Sequence, residues 1–162
     1  MKIMYLNGKS ETGKTITLKL LYCIFCENGA QNRVSVKFFR NSIEPAVVRK
    51  SIENLRYTKI GGRNECVANI AVKFKFKNKT FLIYTCGDSA EFVLNGIELA
   101  KNNDVDYYIA PTHPAFHALI RKEFSENEIT FIEKQVSLKT EGIMDCNMRQ
   151  AEELFQLCLS DF

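Results

Sequence analysis

Residues 7–15, NGKSETGKT, separate two apolar runs: KIMYL at 2–6 and KTITLKLLYCIFC at 14–26. The first run is short and reads as a buried strand. The second places Leu18, Leu21, Tyr22 and Phe25 at helical spacing, and Asn28-Gly29 stops it. A strand, a polar glycine-bearing loop and a helix therefore follow one another. A loop of this kind needs a reason beyond joining two buried segments.

Gly8, Lys9, Ser10, Glu11, Thr12, Gly13, Lys14 and Thr15 fit the pattern G-x-x-x-x-G-K-[ST] at every fixed position. Glycine permits backbone angles that a side chain forbids. Successive N–H groups can then turn inward around an anion. A helix beginning near Lys14 points its positive end at the same spot. The loop resembles the Walker A loop of the P-loop NTPase superfamily. That resemblance implies a nucleoside triphosphate, ATP with Mg²⁺, held by residues 8–15 together with Ile16. Lys14 would reach the β- and γ-phosphates, and the Thr15 hydroxyl would bind the metal. Glu11 is acidic and is expected to point away from the phosphates.

The rest of the chain alternates between strand-like and helix-like segments. Residues 33–39 read as a strand, and 45–57 as a helix with Pro45 in its first turn and Val48, Ile52 and Leu55 on one face. Residues 67–76 and 80–86 read as a hairpin joined at Lys77-Asn78-Lys79. Residues 88–102 read as a helix, 105–110 as a strand, Pro114 as the start of a short helix, 129–133 as a last strand and 143–159 as a closing helix. This order predicts an α/β three-layer sandwich, with a mostly parallel sheet that includes one antiparallel hairpin. Residues 1–162 are expected to form a single nucleotide-binding domain.

A phosphate-binding loop calls for an acidic residue at the end of a second strand. Asp88, after FLIYTCG, is the candidate, as a ligand to Mg²⁺ or a carboxylate that positions water. Asp88-Ser89-Ala90-Glu91 also has capping-box spacing, with Asp88 as the helix cap. Walker B segments generally place aspartate straight after the apolar strand, whereas this strand ends Tyr84-Thr85-Cys86. Thr85 is a further candidate for metal-bound water. The aspartate of a GTPase-like D-x-x-G falls here on Tyr84, and no N-K-x-D segment is present, so ATP is preferred to GTP.

Thr112 and His113 come just after the strand at 105–110, on the same side of the sheet as the loop, and one of them is a candidate for sensing the γ-phosphate or holding a substrate. His113 and His117 lie one helical turn apart, and with Cys86 they outline a possible zinc set. Arg121 is the candidate lid residue, with Lys122 beside it. Arg40, Arg49, Arg56 and Arg63 precede the hairpin in the region where a small kinase would bind its acceptor. Lys73, Lys75 and Lys77 alternate with Val72, Phe74 and Phe76, either protecting an edge strand or attracting phosphates.

The totals are those of an ordinary globular chain: 162 residues, 46% hydrophobic, 25% charged and a net charge of +3. That charge does not demand a nucleic-acid partner. No apolar run reaches the about 20 residues a membrane span needs. Residues 1–6 are too short for a secretory signal, so the expected location is cytoplasmic. Cys23 and Cys26 form a C-x-x-C inside an apolar helix. With Cys66, Cys86, Cys146 and Cys158 they read as reduced, mostly buried thiols. Three functions follow from these residues: an ATPase, a kinase for a nucleotide or other small acceptor, and a nucleotide-dependent switch without turnover. A nucleic-acid or protein partner has only the lysine row in its favour.

Overall fold

The computed structural model describes residues 1–10, 12–36, 43–55, 69–137, 142–160 and 162. Strand β1 (Lys2–Asn7) buries every residue from Ile3 to Asn7. Alternate side chains of a strand point to opposite faces. Met4 and Leu6 join one apolar cluster, and Ile3 and Tyr5 join a second. The first cluster receives α1 (Lys14–Glu27), α2 (Pro45–Leu55) and α5 (Ile143–Leu159). The second receives α3 (Ala90–Asn102) and α4 (His117–Glu123). Helices therefore cover both faces of the sheet, giving three layers.

The other strands are β2 (Gln31–Ser35), β3 (Ala71–Phe76), β4 (Lys79–Tyr84), β5 (Tyr107–Thr112) and β6 (Ile129–Glu133). Their spatial order is β2-β3-β4-β5-β1-β6. β1 pairs in parallel with β5 and β6, and β5 with β4. β3 is antiparallel to both β4 and β2, so it alone runs against the other five. The β3–β4 turn is Lys77-Asn78, with φ of +45° and +62°. Both central residues lie in the left-handed region, as in the two-residue turns that match strand twist.

α1 is apolar nearly all round, because it lies between the sheet, α2 and α5. Every residue from Thr17 to Phe25 is buried. Phe25 contacts the rings of Phe74, Phe76, Phe81 and Phe155, with centroids 4.8–5.2 Å apart. Burying one such ring contributes about 1.5–3 kcal/mol. This packing fixes α1 against β3, β4 and α5, and so fixes where its first turn points. Among the described residues, no helix is long and apolar enough to cross a membrane.

The sequence-based boundaries hold for β6 and α5; β5 runs Tyr107–Thr112 rather than 105–110 and β4 Lys79–Tyr84 rather than 80–86, and further expectations change. The helix expected from residue 88 starts at Ala90, and its cap is Ser89, whose hydroxyl accepts from the Phe92 N–H at 3.2 Å. Asp88 is therefore not the cap. The lysine row does not lie on an edge strand, because β2 pairs outside β3. The second strand begins at Gln31 rather than residue 33. Cys66 lies outside the described residues.

Candidate functional site

The loop between β1 and α1 lies at the carboxyl edge of the parallel strands, where open α/β sheets bind ligands. The Gly8 N–H donates to the Thr112 carbonyl at the end of β5, 3.2 Å away. Gly13 caps α1 in a left-handed conformation, φ +86°, and no side chain caps the helix. The first turn of a helix leaves its N–H groups without intrahelical partners. Here that turn carries no acidic residue.

Lys14 turns back into the loop. Its Nζ donates to the carbonyls of Gly8 (2.8 Å) and Lys9 (2.6 Å), and the residue is only 5% exposed. Burial pushes its pKa down, and the nearby Asp88 carboxylate pulls it back up. The Thr12 hydroxyl donates to the Lys9 carbonyl at 2.8 Å and closes the loop on itself. Thr15 Oγ1 donates to the Thr85 carbonyl just beyond β4, 3.2 Å away. Asp88 follows on the same connection and is exposed. Gly87 lets that connection lie flat on β5, since a Cβ there would stand 2.1 Å from the Pro111 carbonyl oxygen. Lys14, Thr15, Thr85 and Asp88 thus converge. Lys9 and Ser10 are exposed, Ile16 is half-buried in the first turn of α1, and Glu11 lies outside the described residues.

Thr85 does not have a spare hydroxyl. Its Oγ1 accepts from the Ile70 N–H at 2.8 Å and lies 3.1 Å from Asn69 Oδ1. Its carbonyl, not its hydroxyl, meets the site.

The connection after β6 and the start of α5 flank the loop, which the sequence reading did not anticipate. A Cβ on Gly8 would meet Lys134 Cβ at 3.0 Å, and one on Gly13 would meet Asn147 Oδ1 at 2.9 Å. Both glycines are thus needed for close approach, and Gly13 also for its left-handed backbone. Gln150 fastens this segment. Its Oε1 accepts from the Gln135 N–H (3.0 Å), and its Nε2 donates to the Glu133 carbonyl (2.7 Å). The Lys134 N–H donates to the Asn7 carbonyl at 2.7 Å. No local motif marks these partners, because they are far from the loop in sequence.

Asn7 is the last residue of β1 and is buried. Its Nδ2 donates to Glu133 Oε1 at 2.5 Å, which leaves its Oδ1 to accept from His117 Nε2 at 2.9 Å. His117 also stacks on Phe131, centroids 3.9 Å apart. Burial and, next, Arg121 lower its pKa, while Glu133 opposes them. His113 Nδ1 accepts from the Ala115 N–H at 3.1 Å. No cluster of three or more metal-ligating side chains exists among the described residues, so the zinc set does not assemble.

The structure does not bring Arg121 to the loop. Its guanidinium lies over Phe131 and pairs with Glu126, which precedes β6 at the opposite edge of the sheet. Lys122 follows it on α4 and is exposed. Arg49 pairs with Glu27. Arg40, Arg56 and Arg63 lie outside the described residues. The lysine row ends at that opposite edge too, since β4 starts at the hairpin turn and runs toward the loop. Lys73 donates to the Asn103 carbonyl. Lys77 lies over the rings of Phe76 and Phe162.

A groove of about 930 Å³ lies between the β2–β3 pair and α3. Lys73 and Lys75 on one side and Glu91 and Glu98 on the other give it both charges. Neither the loop nor Asp88 lines it. The described cysteines are free thiols; Cys23, Cys86, Cys146 and Cys158 are buried and Cys26 partly so. Burial raises the Cys23 pKa to about 11, opposite to the lowered value of a reactive thiol. No protein-family model, curated protein or solved structure matches this chain.

Proposed function

We propose that this chain binds Mg·ATP in the loop of residues 8–15, as a P-loop nucleotide-binding protein. One observation carries the reading. The buried Lys14 ammonium sits inside a glycine-bounded loop at the amino end of α1, hydrogen-bonded among the described residues to the Gly8 and Lys9 carbonyls. A charge desolvated this far is costly unless a stronger partner is available, and polyphosphate is such a partner. Lys14 would exchange the two carbonyls for phosphate oxygens, while the first-turn N–H groups of α1 point at the same anion.

Thr15 and Asp88 offer the hydroxyl and carboxylate oxygens that Mg²⁺ prefers. A bound Mg²⁺ would neutralise charge on the phosphate oxygens. Thr15 would give up its bond to the Thr85 carbonyl to reach it. Asp88, released from a capping role, would orient attacking water, making the protein an ATPase. The kinase alternative loses its lid candidate, because Arg121 is engaged at the other edge of the sheet.

A switch without turnover is the second reading. The described arginines favour it, since each has a protein partner: Arg33 with Glu44, Arg49 with Glu27, Arg121 with Glu126 and Arg149 with Glu153. Thermal melts with a nucleotide panel, with and without Mg²⁺, test the binding claim. Mg·ATP should stabilise the wild type, and Lys14→Ala should remove most of that shift. Equal shifts in both proteins would count against the loop. Phosphate release without an acceptor identifies the ATPase, and phosphate appearing only on an added acceptor identifies the kinase. Binding with neither leaves the switch.

A further inference from the structure

Asn147 on α5 is 1% exposed, and its carboxamide lies against the left-handed Gly13 turn. Its Oδ1 and Nδ2 stand 2.9 and 3.1 Å from where a Gly13 Cβ would be. The Thr17 hydroxyl lies 3.1 Å from the Gly13 carbonyl and 3.3 Å from Asn147 Oδ1 and shares its one proton between them, tying the three residues together. A carboxamide can make four hydrogen bonds. This one has Thr17, and its buried Nδ2 has no partner among the described residues. A buried amide donor left unpaired opposes folding, and an apolar residue of the same shape would avoid that cost. The position suits the loop better than it suits the core.

We propose that Asn147 is a positioning residue for polyphosphate binding. It braces the Gly13 turn and offers its spare N–H to the phosphate-bound loop. This inference rests on the reading of residues 8–15 as a phosphate-binding loop.

Asn147→Leu tests it, since leucine keeps the branching and the number of heavy atoms and removes every polar atom. The two readouts are the melting temperature of the nucleotide-free protein and the affinity for Mg·ATP, titrated well below the melt. The melting temperature should hold or rise, while the affinity falls about tenfold. Asn147→Ala, which cannot crowd Gly13, should show the same fall in affinity in its folded state. Wild-type affinity in either folded variant overturns the proposal. So does a loss of stability in Asn147→Leu without a loss of affinity, which would make Asn147 purely structural. If the wild type itself does not bind Mg·ATP, the reading of the loop fails first, and the wild-type titration alone reveals it.

Discussion

Helix α1 buries two lysines, and they occupy very different surroundings. Lys14, in the first turn, lies among loop carbonyls with the Asp88 carboxylate nearby. Lys19, in the middle of the helix, is fully buried in the seam with α2, where its Nζ donates to Ser51 Oγ at 2.8 Å. Burial lowers the Lys19 pKa to about 8, with Cys23 pulling the other way. Burial lowers the pKa of both lysines, so burial alone does not mark a site. What separates them is the setting: loop carbonyls, an exposed carboxylate and a helix amino end surround Lys14. Lys19 has packed side chains and one hydroxyl.

Gly13→Ala should break the loop end most severely. The alanine would have to hold φ near +86° with its Cβ against the Asn147 carboxamide. A left-handed alanine costs about 1–2 kcal/mol before any clash. The expected result is complete loss of the Mg·ATP-induced thermal shift together with a lower melting temperature. A retained shift would separate the Gly13 turn from binding.

Lys19→Met should act in the opposite direction and stabilise the protein. In the wild type the unfolded chain holds its Lys19 proton up to about pH 10.5, the folded chain only to about pH 8. The destabilisation is therefore fully present below pH 8 and fades as pH rises between those values. Denaturant titrations should show Lys19→Met more stable by roughly 2 kcal/mol at pH 7, with the gap closing toward pH 10.5. A gap that does not change with pH would mean the substitution acts through packing alone. Mg·ATP binding should be unaffected.

Ser51→Ala removes the hydroxyl that accepts from Lys19 and donates to the Val48 carbonyl. It should cost about 1 kcal/mol at pH 7, and less in the Lys19→Met background. Equal costs in both backgrounds would show that Ser51 does not serve Lys19. Asp88→Ala should have the smallest effect on affinity, at most about threefold, because Asp88 is exposed and its pull on Lys14 is screened by solvent. Phosphate release, if the protein hydrolyses ATP, should fall far more. Unchanged release would remove Asp88 from the chemistry.

Much of the loop end was legible because its signal is local. Strand, glycine-bounded loop and helix are consecutive, and their spacing alone sets the amides and Lys14 in place. β6 and α5 were legible through their apolar pattern. The seam around Lys19 was not, because KTITLKLLYCIFC is apolar on nearly every side and hides which faces have partners. The lysines of β3 show the same limit: alternation reveals the face of a strand, not its neighbour, and β2 covers what looked like an edge. Asp88 was also a candidate cap because Asp88-Ser89-Ala90-Glu91 has capping-box spacing, but Ser89 takes the cap. Lys134 and Asn147 left no trace, since only the folded sheet brings them to Gly8 and Gly13.

The central claim is that the Lys14 end of α1 is a binding site and the Lys19 seam is not. Calorimetric titration of Mg·ATP into the wild type, Lys14→Met and Lys19→Met tests it most directly. The account predicts saturable heat for the wild type and Lys19→Met, and none for Lys14→Met. Equal binding by Lys14→Met, or loss of binding in Lys19→Met alone, would contradict it.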